Sequence, residues 1–179
     1  MLTFIKILIL NILLLFVATN YSFANPKPIL VKSNKINGSI MAYVNVKDGL
    51  NKSPKLQWQN PEMAKTISYT IICYDKDAPM GPFYHWLIFN IPKNTQILSE
   101  GQPKLEKLSN GALQGKNNFG QIGYDGPAPP PGKVHHYYFI VIALDKILEL
   151  QPGCTYIELA QAFQKHVLAS GAIMFEYFR

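Results

Sequence analysis

The chain has 179 residues, a formal net charge of +6, 48% hydrophobic and 12% aromatic residues, and two cysteines. That length suits one domain with a real core rather than several domains. The excess of positive charge is spread along the chain with no Lys/Arg block and no basic helix, which argues against a nucleic-acid partner and leaves a general attraction to anions.

Residues 1–24 contain the three parts of a secretory signal peptide: Lys6, an apolar run over residues 7–18, and the small residues Ser22 and Ala24 ahead of a cut after Ala24. Asn11 interrupts the run, which is short for a span of ~20 residues, so cleavage outweighs an uncleaved anchor. No cysteine lies near the cut to carry a lipid. The expectation is a periplasmic or secreted protein whose single domain is residues 25–179, with no stable membrane anchor after cleavage.

Strand signals follow at residues 40–46, 67–74, 86–91 and 138–144, each rich in Ile, Val, Tyr or Phe and bounded by turn residues. In the second run, alternation puts Ile67, Tyr69, Ile71 and Cys73 on one inward face. Residues 92–126 are polar and loop-like, with Asn and Gly at many positions. One helix is predicted, over residues 156–168, with Leu159, Ala160, Phe163, Val167 and Leu168 at helical spacing. Thr155 and Glu158 form its capping box, and Gly171 is expected to stop it before a strand-like tail, AIMFEYF. Many strands and one late helix predict a mainly β fold, a β-sandwich with a helix packed beside it. In an oxidising compartment Cys73 and Cys154 could pair if their alpha carbons lie within ~7 Å. A small buried side chain is the commoner fate of a lone strand cysteine such as Cys73, and the sequence alone leaves the pairing open.

Two stretches hold most of the potential site chemistry. Residues 74–86 place Asp75 and Asp77 at the exit of one strand and His85 at the start of the next. Residues 120–139 form a loop stiffened by Pro127, Pro129, Pro130 and Pro131 that ends at His135 and Tyr137. Carboxylates, imidazoles and a phenol at strand ends beside a stiff loop make a pre-organised polar pocket. Each residue also has a plainer reading: the aspartates as turn formers before Pro79, Tyr137 as an aromatic strand residue, His166 as a surface or packing residue. No G-x-S-x-G marks a nucleophile, and Ser53 stands in no catalytic motif. Two Asp and two His could hold zinc or a similar ion, which makes a metal site the better of the catalytic readings.

These residues are also similar to the phosphatidylethanolamine-binding protein (PEBP) family, in its bacterial Raf kinase inhibitor-like branch. The family's D-x-D-A-P stands as Asp75 to Pro79, its H-W pair as His85 and Trp86, and its G-Y-x-G-P-x-P-P-x-G-x-x-H-x-Y loop as Gly123 to Tyr137. Ser53, Pro54, Leu56 and Trp58 match its S-P-x-L-x-W element, and GKNNFG at residues 115–120 fits as well. The resemblance covers residues 45–179 in order and spacing. It implies an antiparallel Greek-key β-sandwich with a C-terminal helix. It also implies a small pocket for phosphate-like groups or phospholipid head groups, with no cofactor and no required metal.

Carried over by position, that pocket's ligand-binding residues are Asp75, Asp77, His85, Pro129, Pro130, His135 and Tyr137, with Trp86, Gly123, Tyr124, Gly126, Pro127, Pro131 and Gly132 as its wall and loop. The chain departs from the family at His136, where Arg is usual, and at Ala128, where Cys is frequent. Two carboxylates beside a phosphate repel it unless protons or histidine charges offset them. One arrangement has Asp75 binding backbone N–H groups or a histidine while Asp77 meets a ligand proton. Anion affinity is then expected to rise as pH falls through the histidine range. The leading expectation is a secreted, non-catalytic anion-binding protein. The alternatives are a protease inhibitor or envelope interaction protein that uses the proline loop and, more weakly, a hydrolase.

Overall fold

The computed structural model describes residues 27–34 and 37–179; the expected signal segment 1–24 and the expected cut after Ala24 lie outside the described residues. In chain order the strands are β1 (Lys27–Pro28), β2 (Leu30–Lys32), β3 (Leu56–Gln59), β4 (Ser68–Asp75), β5 (Phe83–Pro92), β6 (Ile97–Leu98), β7 (Leu113–Gln114), β8 (His135–Leu144) and β9 (Val167–Tyr177). Among the described residues a single α-helix, α1 (Tyr156–Phe163), precedes β9. A six-stranded sheet runs β1-β9-β8-β4-β5-β7 and a three-stranded sheet runs β2-β3-β6. All pairs are antiparallel except β1 with β9.

The apolar runs sit at the centre of the large sheet because both of its faces are covered. Tyr69, Ile71 and Cys73 of β4 point into the space between the sheets with Trp58, Trp86, Phe139 and Val141. Ile72 and Tyr74 point the other way, to a second core completed by Leu159 and Phe163 of α1. Burying those two helix side chains is worth roughly 1.5–3 kcal/mol each. Every residue of β4 is therefore buried. Ile67, expected to begin its inward face, lies just before the strand and stays 47% exposed.

Three local expectations give way. The segment 40–46 is not a strand: after an isolated bridge from Ile40 to Glu176 it becomes a 3₁₀ turn at Tyr43–Asn45. Its backbone groups close locally, with Leu50 N–H on the Tyr43 carbonyl and Gly49 and Asn51 N–H on that of Val46, so no neighbouring strand is needed. The helix keeps its Thr155/Glu158 capping box but ends at Phe163, and Val167 and Leu168 belong to β9. Gly171 is no helix stop. It lies inside β9, where a Cβ would come within 1.9 Å of the Ile29 carbonyl oxygen, so only glycine lets the residue 28–30 strand segment cross there. Residues 92–126 do wander, yet they carry β6, β7 and the buried side chains of Leu108, Gln114, Asn117 and Tyr124.

Cys73 and Cys154 are both buried free thiols, and they sit in different core clusters on opposite sides of the large sheet. Burial pushes both thiols up, that of Cys154 to about 11.

Candidate functional site

The exits of β4 and the starts of β5 and β8 meet at one end of the large sheet, where Asp75 stands opposite both Phe83 and Tyr137. Alternation puts Asp75, Tyr137 and His135 on the inner face. His85 reaches the same face by an irregularity. Cys73 pairs with Trp86 but Tyr74 pairs with Tyr84, so His85 is the extra residue of a β-bulge. A bulge re-aims a side chain that strict alternation would send the other way. The His85 ring consequently lies edge-on to Tyr137 at 5.3 Å between centroids and to Phe119 at 5.5 Å, with Phe83 at 5.1 Å.

The polar contacts of this cluster are short and buried. His135 Nδ1 donates to Asp75 Oδ2 at 2.7 Å, and both side chains are only 5% exposed. The other Asp75 oxygen accepts the Asp77 N–H at 2.8 Å, the i to i+2 bond of an Asx turn, so the turn-forming reading holds for Asp75. The Tyr137 hydroxyl is fully buried and makes no hydrogen bond of good geometry among the described residues, its one polar neighbour being the Asp75 carboxylate. Burial, then the Asp75 charge, holds that phenol far above its ordinary range, so it stays protonated.

His85 is neutral. Its Nδ1 lies 2.7 Å from the Asp125 carbonyl, which can only accept, so Nδ1 carries the proton. Burial pushes the imidazole down to about 4, against the opposing pull of that carbonyl and of the Asp75 charge. The expectation that the histidines charge between pH 5 and 8 therefore does not apply to His85.

Asp77 is turned away from the cluster. Its carboxylate takes the Lys76 ammonium at 2.9 Å and, on its other oxygen, the backbone N–H and Nδ1 of His136 at 2.9 and 2.6 Å. Burial opposes its charge, but the Lys76 and His136 bonds outweigh it and hold the carboxyl below its ordinary value. Asp75 thus performs both tasks considered for it, and Asp77 is already satisfied. The two Asp and two His do not converge as a metal set, and among the described residues no three His, Cys, Asp or Glu side chains are grouped to hold an ion.

The expected wall and loop residues divide. Trp86 and Tyr124 pack beneath the cluster in the core, 5.8 Å apart, their polar atoms bonded to Gln114 and to the Asn45 carbonyl. Gly123 needs its φ of +90°, and a Cβ on Gly126 would lie 2.3 Å from the Asn45 carbonyl oxygen. Pro127 and Pro129 are buried, whereas Pro130, Pro131 and Gly132 form the exposed outer part of the loop. No described contact ties Pro130 to the cluster.

The residue that sequence reasoning missed is Asp125. Its buried carboxylate accepts from Asn51 and Lys104 at 2.8 Å each and from Asn117 at 3.0 Å, with Lys47 at 3.9 Å. Burial opposes its charge, yet the Lys104, Asn51 and Asn117 bonds hold the carboxyl low. The Lys47 ammonium rests 3.2 Å from the centre of the Phe119 ring, which brings a cation to the edge of the cluster. Asp125 stands at a variable position of the loop motif, and the partners that reveal it come from three separate loops.

The described residues form a two-sheet β-sandwich with one capped helix, and it carries buried imidazoles and a buried phenol at the end of its larger sheet. The family described as phosphatidylethanolamine-binding protein matches residues 31–178. The chain belongs to that family. It is similar to a UPF0098 protein of Methanothermobacter thermautotrophicus, 42% identical over 74% of this chain and 86% of the relative. It is likewise similar to the UPF0098 protein YbhB of Escherichia coli, 40% identical over 70% of this chain and 81% of the relative. Among solved structures it resembles YbcL of Escherichia coli, a member of the mammalian PEBP family, with a TM-score of 0.77 and 30% identity over 84% of this chain and 98% of that one. A putative PEBP homologue from Chlamydia trachomatis gives 0.75 and 29% over 86% and 99%. Membership of the family fits a protein that binds a small ligand.

Proposed function

We propose that the cluster of Asp75, His85, His135 and Tyr137 binds a small phosphate-type anion, free or as a phospholipid head group, without turning it over. The observation that supports this most is the Tyr137 hydroxyl, buried beside the His85 ring and held only by a poorly formed interaction with the Asp75 carboxylate. A buried donor without a well-formed hydrogen bond costs up to about 1–3 kcal/mol, and a ligand oxygen would recover part of that. Lys47 over Phe119 adds a cation at the edge, and the neutralisation of Asp77 by Lys76 and His136 removes one of the two charges that would repel an anion. The phenol is held protonated, which suits a hydrogen-bond donor rather than a nucleophile. We read the signal-like segment at residues 1–24 as support for a periplasmic or secreted location of this activity.

Calorimetric titration of the purified protein with phosphoethanolamine at pH 6, beside His135→Ala, tests the proposal. Binding to the wild type that is lost in a folded variant supports it. A folded wild type that binds nothing sinks it.

A further inference from the structure

The bulge that turns His85 inward has a second effect on the other face of the large sheet. It sets Tyr84 directly opposite Tyr74, and Tyr74 in turn stands opposite Tyr138, so three phenol rings lie in a row across β5, β4 and β8. The start of α1 adds a fourth. Tyr156 follows the Thr155 cap and stacks on Tyr84 with ring centroids 3.8 Å apart and planes 15° apart. Aromatic pairs ordinarily sit at roughly 4.5–7 Å, offset or edge-on. The other two neighbours in the row do so, Tyr74 and Tyr138 at 5.5 Å and Tyr74 and Tyr84 at 6.2 Å.

The close pair is held from both sides. Asn118 takes both backbone groups of Tyr84: its Oδ1 accepts the Tyr84 N–H at 2.6 Å, and its own N–H donates to the Tyr84 carbonyl at 2.8 Å. Tyr156 is fixed by the Thr155/Glu158 capping box and by Leu159 and Phe163, which anchor the helix to the sheet. Both rings are only half-buried and open to a small oxidant, whereas Tyr74 lies buried between its neighbours. Burial raises both phenols, so each keeps its proton at neutral pH, and the two hydroxyls interact with each other.

We propose that Tyr84 and Tyr156 are an oxidative cross-linking site, joined through a carbon–carbon bond between their rings when a peroxide supplies the oxidising power. Each ring gives up one electron and its phenolic proton. The two phenoxyl radicals couple at carbons ortho to their oxygens, and each ortho hydrogen then moves to its own oxygen to restore the phenol. Hydrogen peroxide takes both electrons and both protons, its O–O bond breaks, and it leaves as two waters. Near-parallel planes hold facing ring carbons at about 3.5–4.0 Å, van der Waals contact. Two partners already held in place react as one molecule rather than two. The product is a covalent seam that fastens α1 to β5, on the sheet face opposite the Asp75, His85, His135 and Tyr137 cluster and independent of any ligand there.

The purified protein, dilute enough to keep molecules apart, is treated with hydrogen peroxide and a haem peptide as one-electron relay, beside Tyr84→Phe, Tyr156→Phe and Tyr43→Phe. Peroxide is raised until Tyr43, 69% exposed, is oxidised in the wild type, which shows that the oxidant acts. The expected product is a monomer lighter by two hydrogens, with dityrosine fluorescence and one cross-linked peptide pair that contains Tyr84 and Tyr156. Phenylalanine keeps the stacked ring but forms no phenoxyl radical, so Tyr84→Phe and Tyr156→Phe should each lose the product, while Tyr43→Phe should retain it. A wild type with Tyr43 oxidised and no Tyr84–Tyr156 peptide overturns the proposal. So does an intramolecular dityrosine yield that survives Tyr84→Phe or Tyr156→Phe.

Discussion

The end of the large sheet carries two Asp–His pairs built from residues almost adjacent in sequence, and they differ in almost everything else. Asp75 and His135 face inward, are each 5% exposed, and lie among aromatic rings. Asp77 and His136 face outward at 29% and 31% exposure, with Lys76 on one side and Glu176 at 3.8 Å on the other. Bond lengths of 2.7 and 2.6 Å do not distinguish them. Burial does: an inward pair has no water to replace a lost partner, whereas the outward pair already shares its charges with solvent and a lysine.

The largest expected effect is on the inward pair. Asp75→Ala leaves His135 buried without its acceptor and strips the Asp77 N–H of its turn bond, so a loss of about 3–5 kcal/mol is expected in urea unfolding at pH 7. A loss under about 1 kcal/mol would show that the pair is solvated and the contrast false.

Next in size is a pH effect carried by His85. Its folded pKa of about 4 lies below the ordinary histidine value of about 6.5, so the folded state takes up this proton later than the unfolded chain does. The stability this gives is complete above about pH 6.5 and is lost as pH falls toward 4, by roughly 3 kcal/mol in all. Unfolding free energies of the wild type and His85→Gln between pH 7 and 4 check it. The wild-type curve should fall more steeply, and parallel curves would mean that His85 charges freely.

Tyr137→Phe separates binding from stability. Removing a buried hydroxyl that makes no well-formed hydrogen bond should leave the melting temperature nearly unchanged or higher, while phosphoethanolamine affinity falls about tenfold. A drop in stability of more than about 1 kcal/mol would mean that the hydroxyl is bonded within the protein.

Much of this was legible beforehand, for reasons that also explain what was not. The central strands announce themselves because both faces of β4, β5 and β8 are covered, so their apolar runs are nearly continuous. The Thr155/Glu158 box is local, and it holds as read. Ile40, Val44 and Val46 look like strand residues, yet a turn through Gly49 and Asn51, whose φ is +53°, satisfies their backbone first. Val167 and Leu168 fit a helix or a strand equally, and pairing with β8 decides between them. At the site, alternation could assign Asp75 and Tyr137 to one face. It could not assign His85, because a bulge depends on the partner strand and leaves no mark in the sequence. Asp125 was invisible for the same reason, since its meaning lies in Asn51, Lys104 and Asn117.

The smallest expected effect is the one that closes the contrast. Asp77→Asn removes a charge shared by Lys76 and His136 but keeps an oxygen able to accept the His136 N–H. Its carboxyl is held below the ordinary value, so its contribution is present above the unfolded pKa of about 3.9 and is lost as pH falls through the lower folded value. At more than a quarter exposure, solvent screening leaves the whole effect at about 0.5 kcal/mol, and 0.5 M salt should erase most of it. Asp77→Asn should therefore unfold at nearly the wild-type urea midpoint at pH 7, and match it at pH 3. Because Asp77 is turned away from Tyr137 and His85, the variant should also bind phosphoethanolamine within about twofold of the wild type, since each 1.4 kcal/mol is tenfold and no such contact is lost. A tenfold loss of affinity would return Asp77 to the ligand site and show that the outward pair takes part in binding after all.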